Sequence, residues 1–248
     1  MALIRAELLK QRSTWTGLGL FAAMLCLVLL AVLLHGFGLP AEDLGRADVQ
    51  LMMLGRGEFL GVLFAALLGA MSITAEIRHG TIRPTFLFSP RRRRVLASKI
   101  SVSVLIGAGF GLVAGAVAAA VGTAALRARG IDVQLELRDY VLLVAGSVAA
   151  AALWAAIGVG VGALVRNQVP TLIGICAWLL LVEGLLAGDV AGGLGDVGRF
   201  LPGAAAAAIS GQDPGTLLPP ALGVGLLALY AIAAALAGSL ATSRRDVG

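Results

Sequence analysis

Six long apolar stretches, separated by short charged segments, constrain this chain more than any other feature. They run approximately over 15–37, 59–76, 100–126, 140–165, 169–187 and 217–241. A membrane-spanning helix needs about 20 mostly apolar residues. A water-covered core could not absorb them all, because 59% of the residues are hydrophobic and only 13% are charged. Soluble domains carry roughly 25% charged residues. The expected fold is therefore all-α: a polytopic membrane protein with six transmembrane helices in one transmembrane domain over 1–248. The second stretch is short, but extending it through Glu58 and Glu76 gives a helix that projects into the cytosol. The first stretch is too long for the core of a cleaved signal peptide, and no small-residue cleavage site ends it.

Orientation follows from the lysines and arginines of alternate loops. Thirteen lie on the side of the termini: Arg5, Lys10, Arg12, Arg78, Arg83, Arg91, Arg92, Arg93, Arg94, Lys99, Arg166, Arg244 and Arg245. Six lie on the other: Arg46, Arg56, Arg127, Arg129, Arg138 and Arg199. The first side is expected to be cytoplasmic, with both termini inside. The high isoelectric point belongs to these loops and not to a nucleic-acid surface, since no solvated basic face with interleaved aromatics exists.

Several chemistries are excluded. The only lysines are Lys10 and Lys99, and neither follows a glycine, so there is no phosphate-binding loop. His35 and His79 fall at opposite faces of the membrane, so no histidine pair is available for a metal. Cys26 and Cys176 each sit within an apolar stretch and read as small packing residues. No cofactor is expected in this chain.

Two local segments read as additional helices. Residues 2–14 alternate Ala2, Leu3, Ala6, Leu8 and Leu9 with Arg5, Glu7, Lys10 and Arg12. They form either an amphipathic helix on the inner leaflet or a plain extension of the first span. Before the last span, Pro202 suits the first turn of a short helix running into Ala204–Ala208. That segment is too apolar for a free loop and reads as an interfacial or re-entrant helix packed on protein. Gly107, Gly111 and Gly115 in the third span, and Gly158 and Gly162 in the fourth, have the four-residue spacing that lets helix backbones approach.

Glu183 is the one charge inside a span. A carboxylate at depth costs roughly 2.5–3.5 kcal/mol on insertion scales, so it faces protein or water. It is either a pathway residue or a protonated or hydrogen-bonded group near the outer interface.

The richest segment is 74–99, TAEIRHGTIRPTFLFSPRRRRVLASK. Gly80 can supply the left-handed cap that ends the second helix. Thr81 can N-cap a short helix with Pro84 in its first turn. Ser89 and Pro90 then suit the start of the next helix. Between them Ile82, Phe86, Leu87 and Phe88 make a compact apolar surface. Arg91, Arg92, Arg93 and Arg94 oppose the dipole of the helix they open, and so call for phosphates or an acidic partner.

The pattern from Glu76 through Gly80, Thr81 and Pro84 to Ser89, Pro90, Arg91 and Lys99 resembles the cytoplasmic signature of ABC-2 type permeases, the membrane subunits of ATP-driven transporters. Four consecutive arginines are more basic than that pattern requires. The six spans, internal termini, amphipathic N-terminal helix and re-entrant helix agree with the same family. The resemblance implies a short cytoplasmic coupling helix that docks on a separate ABC ATP-binding subunit, which carries the ATP and Mg. It assigns ATPase coupling to Glu76, Gly80, Thr81, Ile82, Arg83, Pro84, Phe86, Leu87 and Pro90. It assigns inner-leaflet or partner contact to Arg91, Arg92, Arg93, Arg94 and Lys99. It further implies a homodimer or a heterodimer with a similar permease, contact with membrane lipid in a prokaryotic plasma membrane, and export. It implies no enzymatic activity in this chain. An ion-coupled secondary transporter and a non-transporting membrane scaffold are the alternatives; the first needs paired midplane charges, of which only Glu183 is apparent.

Overall fold

The computed structural model describes residues 7–10, 15–81, 92–187, 195–212 and 215–244. It is 87% helical, with no strand among the described residues. Helix α1 is Trp15–Gly38, α2 Ala41–Leu44, α3 Ala47–Arg78, α4 Arg92–Ala128 and α5 Leu137–Val165. Helix α6, Gln168–Ala177, continues through a π-helical turn, Trp178–Val182, into α7, Glu183–Ala187. The short helices α8, Gly195–Gly198, and α9, Pro202–Ile209, precede α10, Pro220–Arg244. Helices α1, α3, α4, α5 and α10, with α6–α7 as one unit, are long and apolar enough to cross a membrane. Successive spans run antiparallel. Arg78, Lys99 and Arg166 mark what is called below the near end of the bundle; Gln50, Arg129 and Gln212 mark the far end.

Helix α3 begins twelve residues before the expected Phe59 and runs for 32 residues. Hydropathy ends the stretch at polar side chains that the fold turns inward. Gln50 is fully buried, and its Nε2 donates to the carbonyls of Leu44 at 2.8 Å and Asp132 at 2.9 Å. Its Oε1 accepts from the Gln134 amide at 2.9 Å. Every polar atom of that carboxamide head is engaged, so burial carries little penalty. Helix α5 likewise starts early, on a capping box in which Asp139 accepts from the Glu136 amide at 2.8 Å.

Helices α3, α4 and α5 form the core, and the glycine spacing is what brings them together. A Cβ on Gly111 of α4 would overlap the Ser147 carbonyl of α5, and one on Gly158 of α5 would overlap the Ala66 carbonyl of α3. Close backbone approach of this kind maximises dispersion contact where no hydrophobic effect separates helix from lipid. The outer helices differ: 67% of the apolar window of α3 is buried, against 17% in α1 and 22% in α10. Phe21 meets Phe110 edge-on at 5.2 Å and ties α1 to α4.

Helix α9 does not cross the bundle. Pro202 occupies its first turn, and Ala205, Ala206, Ala208 and Ile209 are buried against the rest of the far end. This is the short helix packed on protein that its sequence implied. The expected coupling helix lies in residues 82–91, outside the described residues, and of the N-terminal helix only 7–10 are described, as helix.

Candidate functional site

At the near end, four charged side chains converge. Lys99, on the second turn of α4, donates from Nζ to Glu76 Oε1 at 2.8 Å and to Glu7 Oε2 at 3.0 Å. It also donates to the Ser72 carbonyl at 3.0 Å. Lys10 pairs with the same Glu76 oxygen. Lys99 is 1% exposed and Glu76 4%. Two lysines balance two glutamates, so the cluster, buried except for the half-exposed Lys10, carries no net charge, the condition under which buried ion pairs are tolerated. The cluster joins the end of α3, the start of α4 and residues 7–10. Beside it lies a cavity of about 110 Å³, lined in part by Leu20, Leu68 and Ser72.

The chain leaves α3 as its sequence suggested. Gly80 adopts φ +70°, the left-handed geometry that favours glycine, and its amide bonds to the Ile77 carbonyl at 3.2 Å. The Thr81 hydroxyl donates back to the Glu76 carbonyl at 3.5 Å.

At the far end, α3, the π turn with α7, and α9 line a second, partly open cavity of about 310 Å³. Arg56, Glu58, Glu183 and Gln212 are its polar wall. Gln212 Nε2 donates to Glu58 Oε2 at 3.1 Å. The carboxamide approaches α3 where Gly55 lacks a side chain; a Cβ there would overlap it. Glu183 Oε1 accepts from Trp178 Nε1 at 2.5 Å and from the Gly203 amide at 2.9 Å. In a regular α-helix, at 3.6 residues per turn, residues five apart point in different directions. The π turn, with its i→i+5 bonding, brings Trp178 and Glu183 to one side. Glu183 thereby caps the N-terminus of α9 from a different helix, satisfying a donor that has no partner within α9.

The ABC-2 family transporter model matches residues 3–182. The chain belongs to the ABC-2 transporter family. A comparison with curated proteins found no match. As an ABC-2 permease it is a multi-pass transmembrane subunit of an ABC transporter, a class whose members work with ATP-binding subunits.

Within this permease the expected site residues part company. Glu76, Gly80 and Thr81 stand together where α3 ends. Ile82, Arg83, Pro84, Phe86, Leu87, Pro90 and Arg91 lie outside the described residues, as does the side chain of Arg92. Arg93 and Arg94 are exposed at the start of α4. Lys99 is a correction: expected at lipid or a partner surface, it is buried, because Glu7 and Glu76 supply the counter-charges that let an ammonium leave water. Glu183 is 8% exposed and doubly hydrogen-bonded by the protein.

Sequence reasoning missed the roles of Glu7, Lys10, Glu58, Arg56 and Gln212. A signal existed for two of them. Glu7 and Glu76 are acidic residues on the side where basic ones prevail, and Gln50 and Glu58 recur on one helical face just before the apolar run.

Proposed function

We propose that this ABC-2 permease forms the translocation pathway of an ATP-driven exporter and is driven by a separate ATPase subunit docked on residues 82–88. The observation that carries the reading is the direct bond between Lys99 and Glu76, 2.8 Å, which clamps together the two helices flanking that segment. A displacement of residues 82–91 by a docked partner would then move α3 and α4 as a unit, and those are core spans. Arg91, Arg92, Arg93 and Arg94 flank the docking surface and meet anionic lipid or acidic ATPase side chains.

In this reading the chain hydrolyses nothing, and ATP with Mg belongs to the partner. Two permease copies, identical or similar, enclose the pathway in a prokaryotic plasma membrane. Export rests on fold-level analogy. The near end faces the cytoplasm, on the thirteen-to-six excess of basic residues. In a chain lacking Cys26 and Cys176, Asp132→Cys should react with an impermeant maleimide in intact cells and Ser89→Cys only after permeabilisation. The opposite labelling would overturn the orientation and the docking with it.

The docking itself is tested at Phe86. Truncating an anchor aromatic at an interface costs about 2–4 kcal/mol, tens- to hundreds-fold in affinity. Phe86→Ala should insert normally yet lose the ATPase on purification, or leave it hydrolysing ATP without transport. Charge reversal at Arg92 and Arg93 should do less, since rim charges act mainly on encounter and orientation. Unchanged ATPase retention and unchanged transport per ATP in Phe86→Ala would sink the assignment.

A further inference from the structure

A third cavity, about 600 Å³, is a partly open groove between α6 and α10, within the spans. Trp154, Ile157, Val161 and Val165 of α5 form its floor. They recur at three- and four-residue spacing, so the groove runs lengthwise along the helix. The stretch from Val165 back to Trp154 measures about 16 Å at the helical rise per residue. That is the depth of one leaflet, half of a hydrocarbon core of about 30 Å. Leu201 and Pro202, at the head of α9, line the far end of the groove.

Among the described residues no charged side chain lines this groove. Its polar side chains are already engaged. Trp178 Nε1 donates to Glu183, Tyr230 Oη to the Phe200 carbonyl at 3.1 Å, and Thr171 Oγ1 to the Asn167 carbonyl at 2.6 Å. Trp154 Nε1 is buried out of reach of an occupant. Such a groove offers dispersion contact and no hydrogen bond, which suits a hydrocarbon chain.

The near end of the groove is the turn between Val165 and Pro170, and it carries Arg166. Arg166 has φ 59°; the other described residues with left-handed φ are Gly80, Gly130 and Gly211. Such a turn after a helix selects glycine, which adopts it without strain. Here a cation stands in its place. The Arg166 side chain is partly exposed and has no hydrogen bond or ion pair among the described residues. We propose that the groove holds one acyl chain of an anionic phospholipid from the near-end leaflet, with its headgroup on Arg166. The groove is one leaflet deep and uncharged, and the cation stands at its mouth, which is the pattern of that lipid. The proposal needs a membrane-spanning chain and does not depend on ATPase docking.

Of the three tryptophans, only Trp15, 88% exposed, lies outside the groove. Trp15→Phe therefore leaves Trp154 and Trp178 as reporters. In that background the full chain, without any ATPase, is placed in bilayers of phosphatidylcholine and phosphatidylglycerol, one or the other with brominated chains, which quench tryptophan on contact. Phosphatidylglycerol should occupy the groove about fivefold more readily than phosphatidylcholine, the size of one basic residue's attraction to anionic lipid. Arg166→Gly, unstrained at that φ, should fold and lose the preference. Arg166→Lys should keep it. Gly174→Leu and Ala233→Leu keep every charge and fill the groove from its two walls. A Cβ at 174 meets open space and Ala233 is exposed, so both should fold, quench less with either lipid and show no preference.

Equal quenching by the two lipids before any groove substitution would overturn the proposal. So would a preference that survives Gly174→Leu and Ala233→Leu, which assigns it to the general lipid shell, or one that survives Arg166→Gly, which puts the headgroup elsewhere. If a second copy of the chain covers the groove instead, neither lipid quenches more than it does in the filled variants, and the proposal fails. Phe86→Ala should keep the preference, so failure of the docking reading and failure of this one give different results.

Discussion

Each end of the bundle buries two carboxylates, and the protein treats the two pairs differently. At the near end Glu7 and Glu76 are held by Lys99 and Lys10, ammonium to carboxylate. At the far end the partners of Glu58 and Glu183 are an amide side chain, an indole and a backbone N–H. The near-end pair is neutralised by cations from elsewhere in the chain, which makes it a clamp. Among the described residues the far-end pair has no such cation bonded to it, although each pair leaves one carboxylate oxygen, Glu76 Oε2 and Glu58 Oε1, without a hydrogen-bond partner. Burial alone therefore says little about a membrane carboxylate; what it is bonded to separates an ion-paired clamp from a hydrogen-bonded contact.

The sharpest way to break this contrast is Lys99→Met. Removing one member of a buried ion cluster leaves uncompensated charge and costs about 3–5 kcal/mol. Unfolding of the purified permease should show that loss, and Lys99→Met with Glu76→Leu should recover much of it, because apolar replacement of a buried pair is close to neutral. A loss below about 1 kcal/mol for Lys99→Met, the range of exposed pairs, would mean that the cluster is solvated and not a clamp.

Glu183→Gln probes the other end with a smaller expected effect. The amide oxygen can still accept from Trp178 and Gly203, so transport should fall by less than about twofold, since a neutral acceptor loses only part of a charge-assisted bond. Abolished transport at normal membrane levels would make Glu183 a pathway carboxylate and overturn its reading as a hydrogen-bonded contact between helices. The smallest effect belongs to Lys10→Met. Its side chain is 48% exposed, so it should contribute no more than about 1 kcal/mol. A loss as large as that of Lys99→Met would show that residues 7–10 are as integral to the clamp as α4 itself.

The spans were legible because membrane insertion reads a local sum of side-chain hydropathies, and each apolar stretch in the sequence became a helix of the bundle. Gly80 was legible too, since a left-handed turn after a helix selects glycine through its own backbone. Pro202 at the head of α9 is a third case of a purely local preference. The start of α3 was not legible: Gln50 and Glu58 end an apolar run in the sequence, yet each finds its partner in a segment more than eighty residues away. Lys99 failed for the same reason. On a linear chain it closes a basic run, and only the packing of α3 against α4 shows that Glu76 waits within 2.8 Å.

By itself, then, the sequence determined the number of spans, the charge asymmetry between their ends, and the turn chemistry at 80 and 202. These depend on each residue and its near neighbours against a fixed solvent. Tertiary structure decided which charges are paired, which face a cavity, and that Glu58 and Glu183 share one. Those outcomes depend on the register in which helices lock, and here that register is set by close backbone contacts at Gly111 and Gly158 that place side chains from distant segments within bonding range.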